Sequence, residues 1–220
     1  MKHYGNIQTA TENIEQVFDL YRIYGSHDYI GEGLSQVEHA MQCASQAAKE
    51  YPNNLGYILG AFLHDIGHLL ALDDGKTVGF DFTNTKMLQP TRMKGVEHKS
   101  LGLGLYKHEL VGAEFLKQKG FPSDIYSLGA NHVLAKRYLV TQNPDYFHTL
   151  SDASKATYWK QGGSLIPSEM KSFLADPNYP IYIKMRSWDD AAKMVRFNYE
   201  HDIAHYENMA LDYVLNYEKS

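Results

Sequence analysis

Apolar residues recur at intervals of three and four positions along almost the whole chain, the period of one face of an α-helix. The first such stripe consists of Ile14, Val17, Phe18 and Tyr21, and Gly25 follows as a helix terminator. No long stretch alternates apolar and polar residues as a half-buried strand does. The sequence therefore predicts an all-α fold, a helical bundle.

Other stripes predict the remaining helices and their ends. A second helix covers Leu34 to Ala48 before Pro52, and a third runs from Leu55 into the adjacent pair His64 and Asp65. Residues 71–105 lose this period, and about 35 residues without it are long enough to form a functional lid. Later helices are predicted from His108 to Gly120, from a Ser123 cap through Leu139, near 151–161 and 168–175, and over about 181–197 and 200–217.

Length and composition indicate an ordinary globular protein. The 220 residues fit a single domain, 1–220. A net charge of −5 without a Lys/Arg cluster argues against a nucleic-acid partner. We expect no signal peptide and no membrane contact, because no apolar run approaches the ~18–20 residues that span a bilayer. The single cysteine, Cys43, excludes an intrachain disulfide and favours a cytoplasmic location.

His64 and Asp65 stand side by side at the end of an apolar helical stripe. Burying two neighbouring ionisable groups is costly unless a cation compensates them. A metal ion is the natural compensator, and an imidazole with a carboxylate suits iron, manganese or zinc. Any one buried histidine is more often a hydrogen-bonded core residue than a ligand, so further ligands are needed.

Those further ligands stand on other predicted helices. His39, the His64–Asp65 pair and Asp189 form a pattern that resembles the HD-domain superfamily, in which they would bind one metal ion. His108 and His132 offer ligands for a second ion, with His98 as a competitor for the place of His108. A second ion on two imidazoles needs a shared carboxylate, and Asp65 is the candidate. Ions bridged in this way lie roughly 3.5–4 Å apart.

Three basic residues stand one helical turn from a predicted ligand, and therefore on the same helix face. They are His68, Lys136 and Arg186. Each alone would more often be a solvated surface charge, but together they predict an anion site. Since Arg and Lys bind phosphate-like oxygens, a phosphate or phosphonate is the expected anion.

The segment before His39 adds two candidates. Glu32 could receive a substrate cation such as an amine, and Tyr29 could cover an open coordination position. An ordinary helix-entry turn explains the same residues equally well.

Several blocks together resemble the HD-domain mixed-valent di-iron oxygenase family of organophosphonate catabolism (PhnZ/TmpB-like). The resemblance covers about residues 28–195, the core of the predicted HD domain. The blocks are Tyr29-Ile30-Gly31-Glu32, Gln36-x-Glu38-His39, Leu63-His64-Asp65-x-Gly67-His68, His132-x-x-x-Ala135-Lys136-Arg137-Tyr138-Leu139, Leu150-Ser151-Asp152-Ala153-Ser154, Gln161-Gly162-Gly163 and Arg186-x-Trp188-Asp189.

This resemblance implies a pair of iron ions, Fe(II)/Fe(III), that uses O2 to split a carbon–phosphorus bond. The implied substrate is a 2-amino- or 2-(trimethylammonio)-1-hydroxyethylphosphonate, and the products are phosphate and glycine or glycine betaine. The implied catalytic residues are Asp65, His68, Tyr29 and Glu32. The implied metal ligands are His39, His64, Asp65, His108, His132 and Asp189, and the substrate-binding residues are Tyr29, Glu32, His68, Lys136, Ser154 and Arg186.

Three alternatives remain open at this point. An HD-domain phosphohydrolase would use the same cations on a small phosphate ester, but would not need the second histidine pair. An oxygenase of the inositol-oxygenase kind shares the metal set, yet its polyol substrate needs no anion site. A non-catalytic HD module would usually lack metal ligands. The segment between His68 and His108 also looks longer than in the family, which leaves the exact substrate open.

Overall fold

The computed structural model describes residues 7–29, 31–80 and 107–217. In these ranges the regular elements are α-helices, and the only β-type pairing is an isolated bridge between Asp28 and Ser35. The predicted all-α class is confirmed. Most of the predicted lid (71–105), and His98 with it, lies outside the described residues.

Most helices follow one another with short connections; the longer ones are residues 25–35, residues 192–202 and the segment between residue 73 and His108, part of which lies outside the described residues. The helices are α1 (Ile7–Tyr24), α2 (Gln36–Glu50), α3 (Leu55–Leu63), α4 (Ile66–Asp73), α5 (His108–Gln118), α6 (Ser123–Gln142), α7 (Asp145–Thr149), α8 (Asp152–Lys160), α9 (Pro167–Ala175), α10 (Tyr179–Ala191) and α11 (Ile203–Asn216).

Helix α3 lies at the centre of the bundle because almost every side chain in it is apolar, and such a helix can be buried on all sides. It packs against α2, α6 and α11, while α6 also contacts α5 and α10. The ring of Phe62 stacks between Phe18, at 5.7 Å between centroids, and Tyr206, at 4.5 Å. The helices that carry the predicted ligands thus surround one core.

The predicted end of the first helix at Gly25 is confirmed, and the second helix begins two residues after the predicted Leu34. Ser35 and Glu38 form a capping box in which the Glu38 carboxylate accepts from the Ser35 backbone N–H at 2.7 Å, so α2 begins just before His39. Helix α1 ends at Tyr24, immediately before Gly25.

The third predicted helix continues beyond His64 and Asp65, but with a bend of 41° between α3 and α4. His64 is the C-cap residue of α3. Asp65 is the N-cap residue of α4, but its side chain accepts no backbone hydrogen bond there. A Cβ atom on Gly67 would lie 2.1 Å from the His108 carbonyl oxygen. Only glycine, which has no Cβ, therefore allows α4 to approach the start of α5 this closely.

Other sequence-based expectations were wrong in detail. Pro122, not Ser123, is the N-cap of α6, and it offers no side-chain acceptor. Helix α10 ends at Ala191 instead of near 197, because the Ala192 carbonyl leaves the helix and accepts from His39 Nδ1 at 2.9 Å. The short helix α7 was not predicted.

Within the described residues, no single helix has both the length and the apolar composition needed to cross a membrane. Helices α3 and α4 meet that test only jointly, across their bend.

Candidate metal centre

Six predicted ligands from five parts of the fold converge in the interior. Helix α2 contributes one histidine, the α3–α4 bend a histidine and an aspartate, α5 and α6 one histidine each, and α10 the second aspartate. All six side chains are buried. They are His39, His64, Asp65, His108, His132 and Asp189.

The carboxylate of Asp65 divides its two oxygens between two pairs of imidazoles. Oδ2 lies 3.4 Å from His64 Nε2 and 3.7 Å from His39 Nε2. Oδ1 lies 3.1 Å from His108 Nε2 and 3.5 Å from His132 Nε2. This is the arrangement that a carboxylate shared between two cations requires.

Within each pair the two Nε2 atoms face each other. The Nε2 atoms of His39 and His64 are 3.3 Å apart, and those of His108 and His132 are 3.2 Å apart. Two ring lone pairs at such a distance repel unless a proton or a cation lies beside them.

Backbone carbonyls fix the outward nitrogen of three of these rings. Nδ1 of His64 donates to the Ala61 carbonyl at 2.8 Å, and Nδ1 of His132 donates to the Gly129 carbonyl at 2.7 Å. His39 makes the same bond to Ala192. Since a carbonyl only accepts, these bonds place the proton on Nδ1 and leave Nε2 free to bind a metal.

Among the buried carboxylate oxygens of the described residues that accept no hydrogen bond, two belong to the predicted ligands, Oδ1 of Asp65 and Oδ1 of Asp189. Asp189 Oδ1 lies 3.5 Å from His39 Nε2. Leaving such an oxygen unpaired in the interior costs about 1–3 kcal/mol or more, and a bound cation removes this cost. The donor set of imidazole nitrogens and carboxylate oxygens therefore fits one or two divalent metal ions.

The protonation states also fit a metal centre. Burial lowers the pKa of His39 to about 4 and holds the pKa of His132 well below its usual range, so both rings are neutral at pH 7. Burial acts to raise the pKa of Asp65, but His64 and His108 outweigh it and lower that pKa well below its usual range. Metal binding would release any proton held by the two latter rings.

Tyr29 covers one side of this centre. Its hydroxyl donates to Asp65 Oδ2 at 3.0 Å, and its ring stacks on His39 with 3.9 Å between centroids. Tyr29, expected to cover an open coordination position, thus lies against the pair formed by His39 and His64.

The predicted anion-binding residues lie beside the centre. The ring of His68 stacks on His108 at 4.0 Å. Arg186 donates to Asp189 Oδ2 at 2.6 Å and to Ser154 Oγ at 3.4 Å. Lys136 donates to Thr157 Oγ1 at 3.1 Å.

The charges of the two buried cations are compensated unequally. Arg186 forms ion pairs with both Asp189 and Asp190, so it is not the uncompensated cation that the sequence suggested. Lys136 is 2% exposed, and burial together with the charge of Arg186 lowers its pKa to about 7. Lys136 is therefore a buried cation for which an incoming anion would be a partner.

Sequence reasoning missed Lys193. Its Nζ lies 3.0 Å from Ser151 Oγ, 3.1 Å from Ser154 Oγ and 3.1 Å from Glu32 Oε1. The available signal was its position four residues after Asp189, the same spacing that pointed to His68 and Lys136. Glu32, expected to meet a substrate cation, thus already faces one from its own chain.

The comparisons with known proteins agree with this chemistry, although no family model matches the chain. An uncharacterised protein of Acanthamoeba polyphaga mimivirus is 34% identical over 209 residues, which cover 95% of this chain and 85% of that protein. The hydroxymethylphosphonate dioxygenase of Gimesia maris is 33% identical over 190 residues, 85% of this chain and 81% of the relative. The glycine-betaine-forming [1-hydroxy-2-(trimethylamino)ethyl]phosphonate dioxygenase of Leisingera caerulea is 33% identical over 181 residues, 82% of this chain and 80% of the relative.

Proposed function

This chain belongs to the family of the phosphonate dioxygenases, and we propose that it uses O2 to cleave the carbon–phosphorus bond of a 1-hydroxyalkylphosphonate. The observation that carries this proposal is the division of the Asp65 oxygens between two imidazole pairs. One metal ion would not need the second pair of imidazoles as ligands. Two ions, one for the substrate and one for O2, would need both pairs.

We propose that the cofactor is a pair of iron ions, Fe(II) and Fe(III). His39, His64 and Asp189 would hold one ion, His108 and His132 would hold the other, and Asp65 would bridge them. When bound, the pair would supply the electrons for O2 activation and the positive charge that polarises the substrate's hydroxyl. The buried unpaired oxygens of Asp65 and Asp189 support this assignment.

Lys136, Arg186, Ser154 and His68 would bind the phosphonate group. A buried ammonium, a guanidinium fork and a hydroxyl match the oxygens of a phosphonate dianion, and charge-assisted hydrogen bonds are the strong ones. With the phosphonate held there, the hydroxyl-bearing carbon would face the Asp65 carboxylate. Cleavage would leave that carbon as a carboxylate and the phosphorus as phosphate, with one atom of O2 entering each product.

Tyr29 and Glu32 would control entry to the metal centre. The hydroxyl of Tyr29 holds a proton against Asp65 Oδ2, and an arriving substrate would displace it. Glu32, which Lys193 joins to Ser154 of the proposed phosphonate site, would meet a substituent on the second carbon. For a 2-amino or 2-(trimethylammonio) substrate the second product would be glycine or glycine betaine.

The proposed partner is a small phosphonate, and neither nucleic acid nor a membrane enters the proposal. A cytoplasmic location is also proposed, because the chain has a single cysteine, Cys43, and so cannot form an intrachain disulfide.

The test is phosphate release by iron-loaded protein from a 1-hydroxyalkylphosphonate in air and under strict anaerobiosis, with ¹⁸O2 as the label. We expect release only with O2, and one labelled oxygen in the phosphate and one in the carboxylate. Unchanged release without O2 would instead favour a phosphohydrolase, for which a small phosphate ester is the comparison substrate.

A further inference from the structure

The carboxylate of Glu32 is already paired with an ammonium group of its own chain. Lys193 Nζ lies 3.1 Å from Glu32 Oε1, and the two side chains are only 13% and 11% exposed. The Ser151 hydroxyl donates to the same oxygen. A largely buried ion pair of this kind is screened far less by water and salt than a surface pair.

Lys193 is also held firmly in this position. Its ammonium group has three hydrogens and three oxygen partners, which are Ser151 Oγ at 3.0 Å, Ser154 Oγ at 3.1 Å and Glu32 Oε1. Moving Lys193 away would break all three contacts. Ser154 is shared with Arg186, so Lys193 connects Glu32 to the proposed phosphonate site.

This arrangement changes what Glu32 can recognise. An ammonium on the second carbon of a substrate that approached Glu32 would be attracted to its carboxylate and repelled by Lys193, whose Nζ is only 3.1 Å from Glu32 Oε1. In a buried site both interactions are strong, so they largely cancel, and the substrate ammonium loses its hydration without compensation. A substrate that lacks the ammonium does not incur this cost.

We propose that Lys193 takes the place of a substrate ammonium, and that this enzyme acts on 1-hydroxyalkylphosphonates without a cationic group on the second carbon. Hydroxymethylphosphonate is the smallest such compound. Its oxidation by O2 breaks the C–P bond and gives formate, phosphate and a proton, with one oxygen atom added to each fragment. This inference rests on the proposed function and names the substrate class for the same site.

The test compares kcat/KM for hydroxymethylphosphonate and for 2-amino-1-hydroxyethylphosphonate, measured as O2-dependent phosphate release by the full-length, iron-loaded protein. We expect wild type to favour hydroxymethylphosphonate by about tenfold or more, and Lys193→Met to move the ratio toward the amino substrate by about tenfold or more. Adding Glu32→Gln to Lys193→Met should remove the gain for the amino substrate.

Lys184→Met is the matched control. Lys184 also pairs with a glutamate, Glu50, at 2.8 Å, but this pair is nearly half exposed, so the substrate ratio should not change. If a Lys193 variant does not fold, inhibition of the wild-type enzyme by two substrate analogues tests the same inference. Propylphosphonate and 2-aminoethylphosphonate have the same shape and differ by the ammonium, and propylphosphonate should inhibit more strongly.

Three results would separate the possible failures. A wild-type preference for the amino substrate, or stronger inhibition by 2-aminoethylphosphonate, would overturn this inference and leave the dioxygenase proposal intact. An equal loss for both substrates in Lys193→Met would also overturn it, because Lys193 would then be a phosphonate ligand. Absence of O2-dependent phosphate from either substrate would contradict the proposed function itself.

Discussion

The hydroxyl of Tyr29 donates its hydrogen bond to Oδ2 of Asp65, 3.0 Å away, and so to the oxygen that faces His39 and His64. The other oxygen of the same carboxylate faces His108 and His132. One side of the centre is thus covered by a phenol, and the proposed function has the substrate displace it.

Tyr29→Phe should therefore bind substrate more tightly than wild type. The ring would still stack on His39, but the bond to Asp65 that the substrate has to break would be absent. A hydrogen bond to a charged group contributes about 1.5–3 kcal/mol, so the anaerobic dissociation constant should fall by about tenfold or more.

Tyr24→Phe is the control for Tyr29→Phe, since Tyr24 makes an equivalent 3.0 Å bond to Asp73, which is not among the proposed ligands. Its substrate affinity should equal that of wild type. Weaker substrate binding in Tyr29→Phe would show that Tyr29 holds the substrate and does not compete with it.

Lys136→Met should raise KM for the phosphonate and change kcat little. Lys136 is buried and would lose one charge-assisted contact to the substrate, which corresponds to about tenfold to a hundredfold in KM. The free energy of unfolding should stay equal or increase, because Met is apolar and similar in length. A fall in kcat at unchanged KM would argue against a role in binding.

The pH dependence of substrate binding follows from the same residue. Burial and Arg186 lower the pKa of Lys136 to about 7 in the free protein, so its ammonium is charged below that pH and neutral above it. The substrate KM should accordingly rise as the pH increases from 6.5 to 8.5. In Lys136→Arg the charge persists over this range. Titration of the phosphonate affects wild type and Lys136→Arg equally, so it cancels when their KM profiles are compared. Identical profiles would contradict the role of Lys136 in the pH dependence.

Gly67→Ala should destabilise the fold and disturb the centre. The new Cβ would lie 2.1 Å from the His108 carbonyl oxygen, and α4 would have to move away from the residue that begins α5. Overpacking of this kind costs about 1–3 kcal/mol. Gly79→Ala, which has no atom within 4 Å of the new Cβ but a φ of +63°, should cost only about 1–2 kcal/mol. Chemical denaturation gives both values, and iron content should fall only in the Gly67 variant.

The sequence was sufficient to predict the elements that depend on local rules. Helical periodicity located α1 and α2, and the resemblance of the His and Asp pattern to a known family singled out the six residues that meet in the interior. Imidazoles and carboxylates on several helices are costly to bury separately. A cation that binds all of them removes this cost, so we expect their helix faces to meet at one site.

The parts that sequence reasoning missed depend on contacts between distant segments. The bend after Leu63 accompanies the approach of Gly67 to His108, 41 positions later. The ion pair of Glu32 with Lys193 joins residues 161 positions apart, and neither residue type reveals its partner. The resemblance assigned a substrate cation to Glu32, and the inference drawn from this pair is that Lys193 takes that cation's place.

The most direct test of the central claim is the iron content of carefully purified, iron-replete protein, wild type beside Asp65→Ala, with His205→Ala as the control. His205 is a histidine of α11 outside the centre. A carboxylate that bridges the ions predicts two iron ions per chain in wild type and in the control, and at most one in Asp65→Ala. An Asp65→Ala protein that retained both ions would contradict the bridging role, and a wild type with a single ion would contradict the paired centre.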